Sequence, residues 1–454
     1  MYQIFCLATL LLLALPTNAS QYVDQAAQRL SEYIRVDTVN PPGNEIRGAE
    51  YFAKIFDQAG IKYEIAESAP GRGNIWARLK GGKKPAMVLL NHMDVVPADL
   101  KYWTSDPYDG AIRDGYINGR GALDMKGLGI AQLQAFLALE ASGARLNRDV
   151  IFVATADEEA GGAYGAGWLA ENHPEIFKGV GFLINEGGGG SIQGGKTVFS
   201  VEVTQKVPLW LRLVAHGNPG HGSAPQTETS VTRILRAGSR IAETKFPPRV
   251  IPAVKAVFAG MAPFQNEPLA SQYLDINNSV NDAKFMNYLQ LTNPGSHSLL
   301  RNTCSITRLS GSSKINVVPT EASIELDCRL LPDQDPEQFI RELALIVNDA
   351  NIDIEKIMGF TATASSTDTA LYRLIEKTLV EHFPGATIIP GVTTGFTDSH
   401  FFRDMGITSY GFGPFVVPAK DRRGVHGNNE HISIENMKVG TQVMIDLINA
   451  FTIK

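Results

Sequence analysis

The chain has 454 residues, 44% of them hydrophobic and 19% charged, with a formal net charge of −6. That is the composition of a globular protein, and the length exceeds what one ordinary core organises, so two domains are expected. The acidic balance, without any block of like charge, argues against a nucleic-acid binder, which would carry a basic face.

The first feature along the chain is "IFCLATLLLLAL" (4–15), followed by "PTNAS". This apolar run is too short to span a bilayer as a helix. It fits the core of a secretory signal with small residues at Ala19 and Ser20 for cleavage, although no Lys or Arg precedes Arg29. The expectation is a signal peptide over 1–20, a secreted or periplasmic mature chain, and no membrane span after cleavage.

From about Asp24 to Gly60 the pattern is helical, broken by the loop "NPPGNE" (40–45). "NIWARL" (74–79) and "AMVLLNH" (86–92) read as strands, with "KGGKKP" between them as a hairpin-like connection. The segment 125–143 places Leu128, Leu133, Phe136, Leu137 and Leu139 on one face of a helix ending at Gly143. "DVIFVATADEE" (149–159) is a buried strand, "GAGWLAENHPEIF" (165–177) a helix, and "VGFLINEGGGG" (180–190) a strand running into a glycine loop. Strands alternating with helices mean an α/β layer fold with a mostly parallel sheet, its first part spanning 21–203.

From residue 204 the rhythm changes. "LWLRLVAHG", "TCSITRLSG", "EASIELDCRLLP" and "IDIEKI" read as strands. "ETSVTRILRAGSRIAE" and "DPEQFIRELALIVNDA" read as helices, the second capped by Asp335. Strand–helix–strand–strand–helix–strand is the split βαβ, ferredoxin-like α+β unit. It is expected over 204–359 as an insertion, with the α/β domain resuming over 360–454. Cys304 and Cys328, the cysteines left after Cys6, sit in strand-like segments. They suit one disulfide in an oxidising compartment, or two buried free thiols.

Polar residues recur where apolar strands end, and in α/β sheets a site forms outside the carboxyl ends of the strands. The set is His92, Asp94, Asp124, Glu158, Glu159, Glu186 and His426. Any one alone would ordinarily be a solvated side chain. Together, beside glycines and strand ends, they are the imidazole-and-carboxylate set that zinc accepts. A pair of divalent cations takes about three protein ligands each, one shared. Asp124, in "GRGALDMKG", suits the shared position, where Gly119 and Gly121 permit unusual backbone. His92 and Glu186 would complete one metal, Glu159 and His426 the other. Asp94 would orient His92 by accepting its other ring proton. Of the adjacent glutamates, one as ligand leaves Glu158 as a free base.

"NHMDVVP", "GRGALDMKG", "TADEEAGG", "LINEGGGG", "GHGSAP", "INVVP…LDCRLLP" and "GVHGNNE" occur in this order. In this the chain resembles the dinuclear zinc peptidases and amidohydrolases that include the aminoacylases, carboxypeptidase S, glutamate carboxypeptidase and succinyl-diaminopimelate desuccinylase. The resemblance covers nearly the whole chain after residue 21 and is nearest to the carboxypeptidase S and aminoacylase branch. It implies a zinc-exopeptidase catalytic domain holding two zinc ions, with cobalt or manganese as substitutes, and the same ligand set with Glu158 as base. It implies that the insertion is a lid carrying a homodimer contact. It also implies that His221 stabilises the oxyanion, sometimes across the dimer, and that Arg329 grips a substrate carboxylate with Asn316 beside it. The alternatives are a strand-end salt bridge for Arg329, a turn asparagine and a turn-capping histidine.

Two departures bear on substrate choice. His400 stands in "TTGFTDSHFF", where it would contact substrate or face solvent, and Gly187 to Gly190 are expected to leave the loop after Glu186 flexible. The function implied is hydrolysis of the amide bond of N-acyl amino acids or short peptides with a free carboxylate. The alternatives are a deacetylase or desuccinylase of a biosynthetic intermediate, which an export signal disfavours, or a noncatalytic metal-binding relative, which the intact Glu158 disfavours. A serine or cysteine hydrolase lacks its G-x-S-x-G elbow or a suitably placed thiol.

Overall fold

Long apolar runs form the middle of a mixed sheet in the computed structural model, which describes residues 19–454. The apolar segment 4–15, and with it most of the expected signal, lies outside the described residues. Strands Arg148–Thr155, Lys84–His92, Val180–Asn185 and Thr408–Gly411 lie side by side and parallel. Val88, Leu90, Ile151, Val153 and Leu183 are sealed from solvent, as strands covered on both faces must be. Tyr63–Glu67 and Gly73–Leu79 extend one edge antiparallel, and Lys196–Gln205 with Thr387–Thr393 extend the other.

The hairpin expected between 74–79 and 86–92 does not form. Both strands pair with Arg148–Thr155, which lies between them. The glycines of "KGGKKP" allow this crossing, since a Cβ on Gly81 would sit 1.9 Å from the Arg148 carbonyl oxygen. The helix Lys126–Ala141 is also more enclosed than one apolar face predicts, being buried on every side from Lys126 to Leu139. Helices Ala19–Ile34 and Ile434–Thr452 pack against it. Lys126 is tolerated there because its Nζ donates to the carbonyls of Tyr33 (3.1 Å) and Val36 (2.8 Å). Burial pushes its ammonium down to about 7. The expected helix over 165–177 breaks at His173, before Pro174, into Ala166–Asn172 and a short 3-10 turn.

A second sheet runs in the order Thr303–Ser310, Glu321–Leu330, Val207–His216, Ile352–Gly359, all antiparallel. Helices Ser230–Glu243 and Pro336–Val347 supply Ile234, Phe339 and Leu343 to its separate apolar cluster. Asp335 caps the latter as expected, accepting from the Glu337 N–H at 2.9 Å. Cys304 and Cys328 sit directly opposite on neighbouring strands and are joined in a disulfide. Between these elements lies a group of short helices from Pro252 to Ser298 that periodicity did not reveal. They run for only four to ten residues, too few to establish a repeat. Their cluster around Val254, Phe258 and Leu289 has Val392 of the large sheet packed against it. Among the described residues, no helix is long and apolar enough to cross a membrane.

Candidate metal centre

The carboxyl ends of three parallel strands deliver the polar groups. Lys84–His92 ends on His92, whose Nε2 lies 3.3 Å from Asp124 Oδ1 and 3.7 Å from Glu186 Oε1. Arg148–Thr155 leads into Asp157, at φ 69°, which turns the chain into the 3-10 turn Glu158–Ala160. A left-handed aspartate costs energy, and here its carboxylate accepts from the Tyr164 N–H (3.0 Å) and faces Arg72 (3.3 Å). The turn sends the two glutamates apart. Glu158 Oε2 lies 3.9 Å from His92 Nε2, whereas Glu159 Oε2 lies 3.0 Å from His426 Nε2. His426 Nε2 is also 3.1 Å from Asp124 Oδ2. Two groups result, His92–Asp124–Glu186 and Asp124–Glu159–His426, each with its ligand atoms within 4.8 Å of one another. Asp124 belongs to both.

The Asp94 carboxylate, expected to take the other ring proton of His92, is not the nearest acceptor to that ring. The His92 Nδ1 lies nearer the Asp94 backbone carbonyl (3.0 Å) than its carboxylate (3.4 Å). The carboxylate instead accepts the N–H groups of Glu158 and Glu159, each at 3.1 Å, and the Asn40 amide at 2.9 Å. It therefore fixes the turn that sends Glu158 and Glu159 apart.

The cluster carries more negative charge than its neighbours balance. Burial, then the Glu186 charge, pushes Glu158 well above the usual carboxylate range. Burial and Asp124 push Glu159 up to about 7 and raise Glu186. Hydrogen bonds with Asp124 and Glu159 raise His426 to about 10. Glu159 Oε1 is buried without a hydrogen-bond partner.

Two buried acidic groups near the cluster were missed from sequence. The buried Glu430 carboxylate accepts from the N–H groups of Gly121 (3.1 Å), Leu123 (2.7 Å) and Asp124 (3.0 Å). It also pairs with Arg120 at 2.8 Å, and Arg120 donates to the carbonyls of Gly424 (3.2 Å) and Gly427 (2.7 Å). One ion pair thus ties the Asp124 loop to the His426 loop. The signal was present as opposite charges, "GRG" and "NNE", each within four residues of a ligand. Glu430→Gln is expected to cost about 3–5 kcal/mol by leaving Arg120 buried and unpaired. It should also weaken metal binding about 10–100-fold by loosening Asp124. Urea unfolding and competition with a chelator measure the two. The second is Asp398, whose carboxylate accepts from Thr155 Oγ1 at 3.0 Å and which burial raises to about 8.

Other expectations fall elsewhere. His221 is exposed on a two-residue ribbon, Gly220–His221 against Val317–Val318, and its Nδ1 accepts from Ser223. Asn316 is on the same ribbon, its carbonyl accepting from the Gly222 N–H. Neither makes a hydrogen bond with the cluster. Arg329 forms the strand-end salt bridge with Asp327 at 2.7 Å, while its Nη1 is buried without a partner and its guanidinium lies 5.6 Å from the Phe396 ring. His400 does not face solvent. It is 3% exposed, stacked on Phe360 at 4.1 Å, and burial pushes its imidazole down to about 3. The glycine run after Glu186 is not a loose loop either. Gly189–Gln193 is a strand, the Gly190 N–H donates to the Phe415 carbonyl at 2.8 Å, and a Cβ on Gly188 would meet the Ser200 carbonyl oxygen at 2.2 Å. Gly187, Gly188 and Gly189 are at positive φ, and a Cβ on Gly190 would meet the Phe199 ring at 2.7 Å.

A parallel sheet with imidazoles and carboxylates converging at its carboxyl ends defines a hydrolase of the metallopeptidase class. The chain belongs to peptidase family M20/M25/M40, whose description matches residues 88–450, and is a metallohydrolase of that family. It is 28% identical to the N-fatty-acyl-amino acid synthase/hydrolase PM20D1 of Mus musculus over 97% of this chain and 86% of that protein. It is 27% identical to aminoacylase-1B of Rattus norvegicus over 84% of this chain and 85% of that protein. Its fold is similar to that of the M20 metallo-carboxypeptidase Sso-CP2 from Sulfolobus solfataricus, with a TM-score of 0.74, 19% identity, and coverage of 94% of this chain and 99% of that one. Human carnosine dipeptidase 1 follows with a TM-score of 0.68 and 18% identity, over 94% and 96% of the two chains.

Proposed function

We propose that the chain is an exported dinuclear zinc hydrolase that cleaves the amide bond of N-acyl amino acids or short peptides bearing a free carboxylate. The observation that carries this reading is Asp124 shared between two three-residue groups of carboxylate and imidazole. The donors fit divalent cations. Their negative charge is buried in excess of its partners, and Glu159 Oε1 lacks any hydrogen bond. His92, Asp124 and Glu186 would hold one zinc, and Asp124, Glu159 and His426 the other. Cobalt or manganese suits the same donors.

When bound, such ions acidify a water and polarise the substrate carbonyl. The chain's own residues do the rest. Glu158 takes a proton from the attacking water and returns it to the amide nitrogen as the C–N bond breaks. Asp94 holds Glu158 in place through its backbone N–H. Arg329, with Nη1 unused, receives the substrate carboxylate, a task its fork suits. His221, with Asn316 beside it, supplies the oxyanion contact from this chain or a second copy. The exposed edge strand Thr303–Ser310, with Leu309 61% exposed, supports a homodimer through the inserted sheet acting as lid. The disulfide supports export, since such bonds persist in oxidising compartments. PM20D1 and the aminoacylases, by their names, point to N-acyl amino acids as substrates.

The test is amino-acid release from N-acyl amino acids and dipeptides, read by mass spectrometry with added zinc and with a chelator. Release that requires zinc is expected. Release indifferent to the chelator, or none with two zinc ions bound, would overturn the reading.

A further inference from the structure

Where the inserted sheet meets the group of short helices, the packing leaves a cavity of about 320 Å³. Its walls come from two separate apolar clusters. Phe246 belongs to the core of the inserted sheet, and Val280 and Met286 to the cluster of the short helices. Close-packed interiors hold few voids larger than a water molecule, and this one reaches the lower end of the range of small-molecule sites, about 300–1,000 Å³.

The basic groups that line it have no acidic counterpart. Lys245, His297 and Arg301 face the cavity together with the amides of Asn281, Asn287 and Gln290, and no carboxylate lines it. His297 is 8% exposed. Burial, then the charges of Arg301 and Lys206, push its imidazole below its ordinary range. Arg301, four residues on, has its Nε buried without a partner. Burial lowers its guanidinium as well, with no carboxylate near enough to oppose the shift. Lys206 stands behind both. Its Nζ donates to the carbonyls of Ser298 (2.7 Å) and Arg301 (2.8 Å), and burial, then the Arg329 charge, pushes its ammonium down to about 7. Buried donors are almost always paired, and a buried cation without an anion is costly. The metal centre shows the reverse arrangement, with negative groups in excess of their partners.

We propose that this cavity binds a small amphipathic anion, with a carboxylate or phosphate head between His297 and Arg301 and a short apolar body against Phe246, Val280 and Met286. The proposal does not depend on the hydrolase reading, since none of these residues belongs to the metal centre. A head of either kind supplies the acceptors that Arg301 lacks, because the guanidinium fork pairs with both in the same two-pronged geometry. A cation or an uncharged molecule would leave the guanidinium without its counter-charge.

Isothermal titration calorimetry of the zinc-loaded full chain tests this with four probes: hexanoate, phenyl phosphate, hexanol and hexylammonium. At least one of the two anions is expected to bind with a Kd below about 1 mM, the tighter one naming the head, and the alcohol and the ammonium about tenfold more weakly or not at all. Arg301→Gln removes the fork and should weaken the anion about tenfold or more, the usual worth of a hydrogen bond to a charged group. Asn287→Glu, at an exposed position on the rim, brings a competing carboxylate and should do the same without disturbing the core. An anion held at the zinc ions instead would bind both variants as it binds the parent. That result, equal affinity for hexanol or hexylammonium, or no binding of either anion up to about 10 mM would overturn the assignment.

Discussion

Glu158→Gln is expected to retain both zinc ions and to lose roughly a thousandfold in kcat, within the range that a positioned general base contributes. The substitution is nearly isosteric, so the backbone contact of residue 158 with Asp94, at 3.1 Å, survives. None of the proposed ligands is touched, because the turn after Asp157 directs Glu159 to His426 and Glu158 to the His92 side. What is lost is an atom able to take a proton from water and give it to nitrogen. Metal content by plasma mass spectrometry and separate kcat and KM values distinguish this from damage to the site. A variant with near wild-type turnover would remove Glu158 from the mechanism.

Asp124→Asn should have the larger effect on metal. Its two oxygens face different imidazoles, Oδ1 toward His92 at 3.3 Å and Oδ2 toward His426 at 3.1 Å. An amide offers one weak acceptor in place of two charged ones, so both sites weaken together. The expected result is zinc content falling from about two ions to below one, more than a hundredfold loss of activity, and loss of the rise in Tm that zinc gives the parent by binding only the folded state. His426→Ala is the comparison, because it removes a donor from one group alone and should keep one ion and part of the Tm rise. If Asp124→Asn still bound two ions, the shared carboxylate would be wrong.

Three of the residues that the structure brings together are announced locally. His92, Glu159 and Glu186 follow apolar strands, and a parallel sheet presents its strand ends along one edge. What was not readable is pairing at a distance. "KGGKKP" looks like a hairpin until Arg148–Thr155 is known to lie between the flanking strands. Glu430 and Arg120 look like loop charges until they are seen to face each other. His400 looks like a polar loop residue until Phe360 covers it. The helices between Pro252 and Ser298 are too short for periodicity to register. In the first three cases the deciding contact comes from a partner distant in the chain, which no local pattern encodes.

The Arg120–Glu430 pair joins positions 310 residues apart. During synthesis the ribosome has therefore made almost the entire protein before that clamp can close. Until then the N–H groups of Gly121, Leu123 and Asp124 lack their Glu430 acceptor, and His426 is made only four residues earlier. Maturation of the centre is in this sense a final event, following rather than guiding the folding of the large sheet. Termination shortly before Gly424 leaves a chain that holds His92, Asp124, Glu159 and Glu186 but neither His426 nor Glu430.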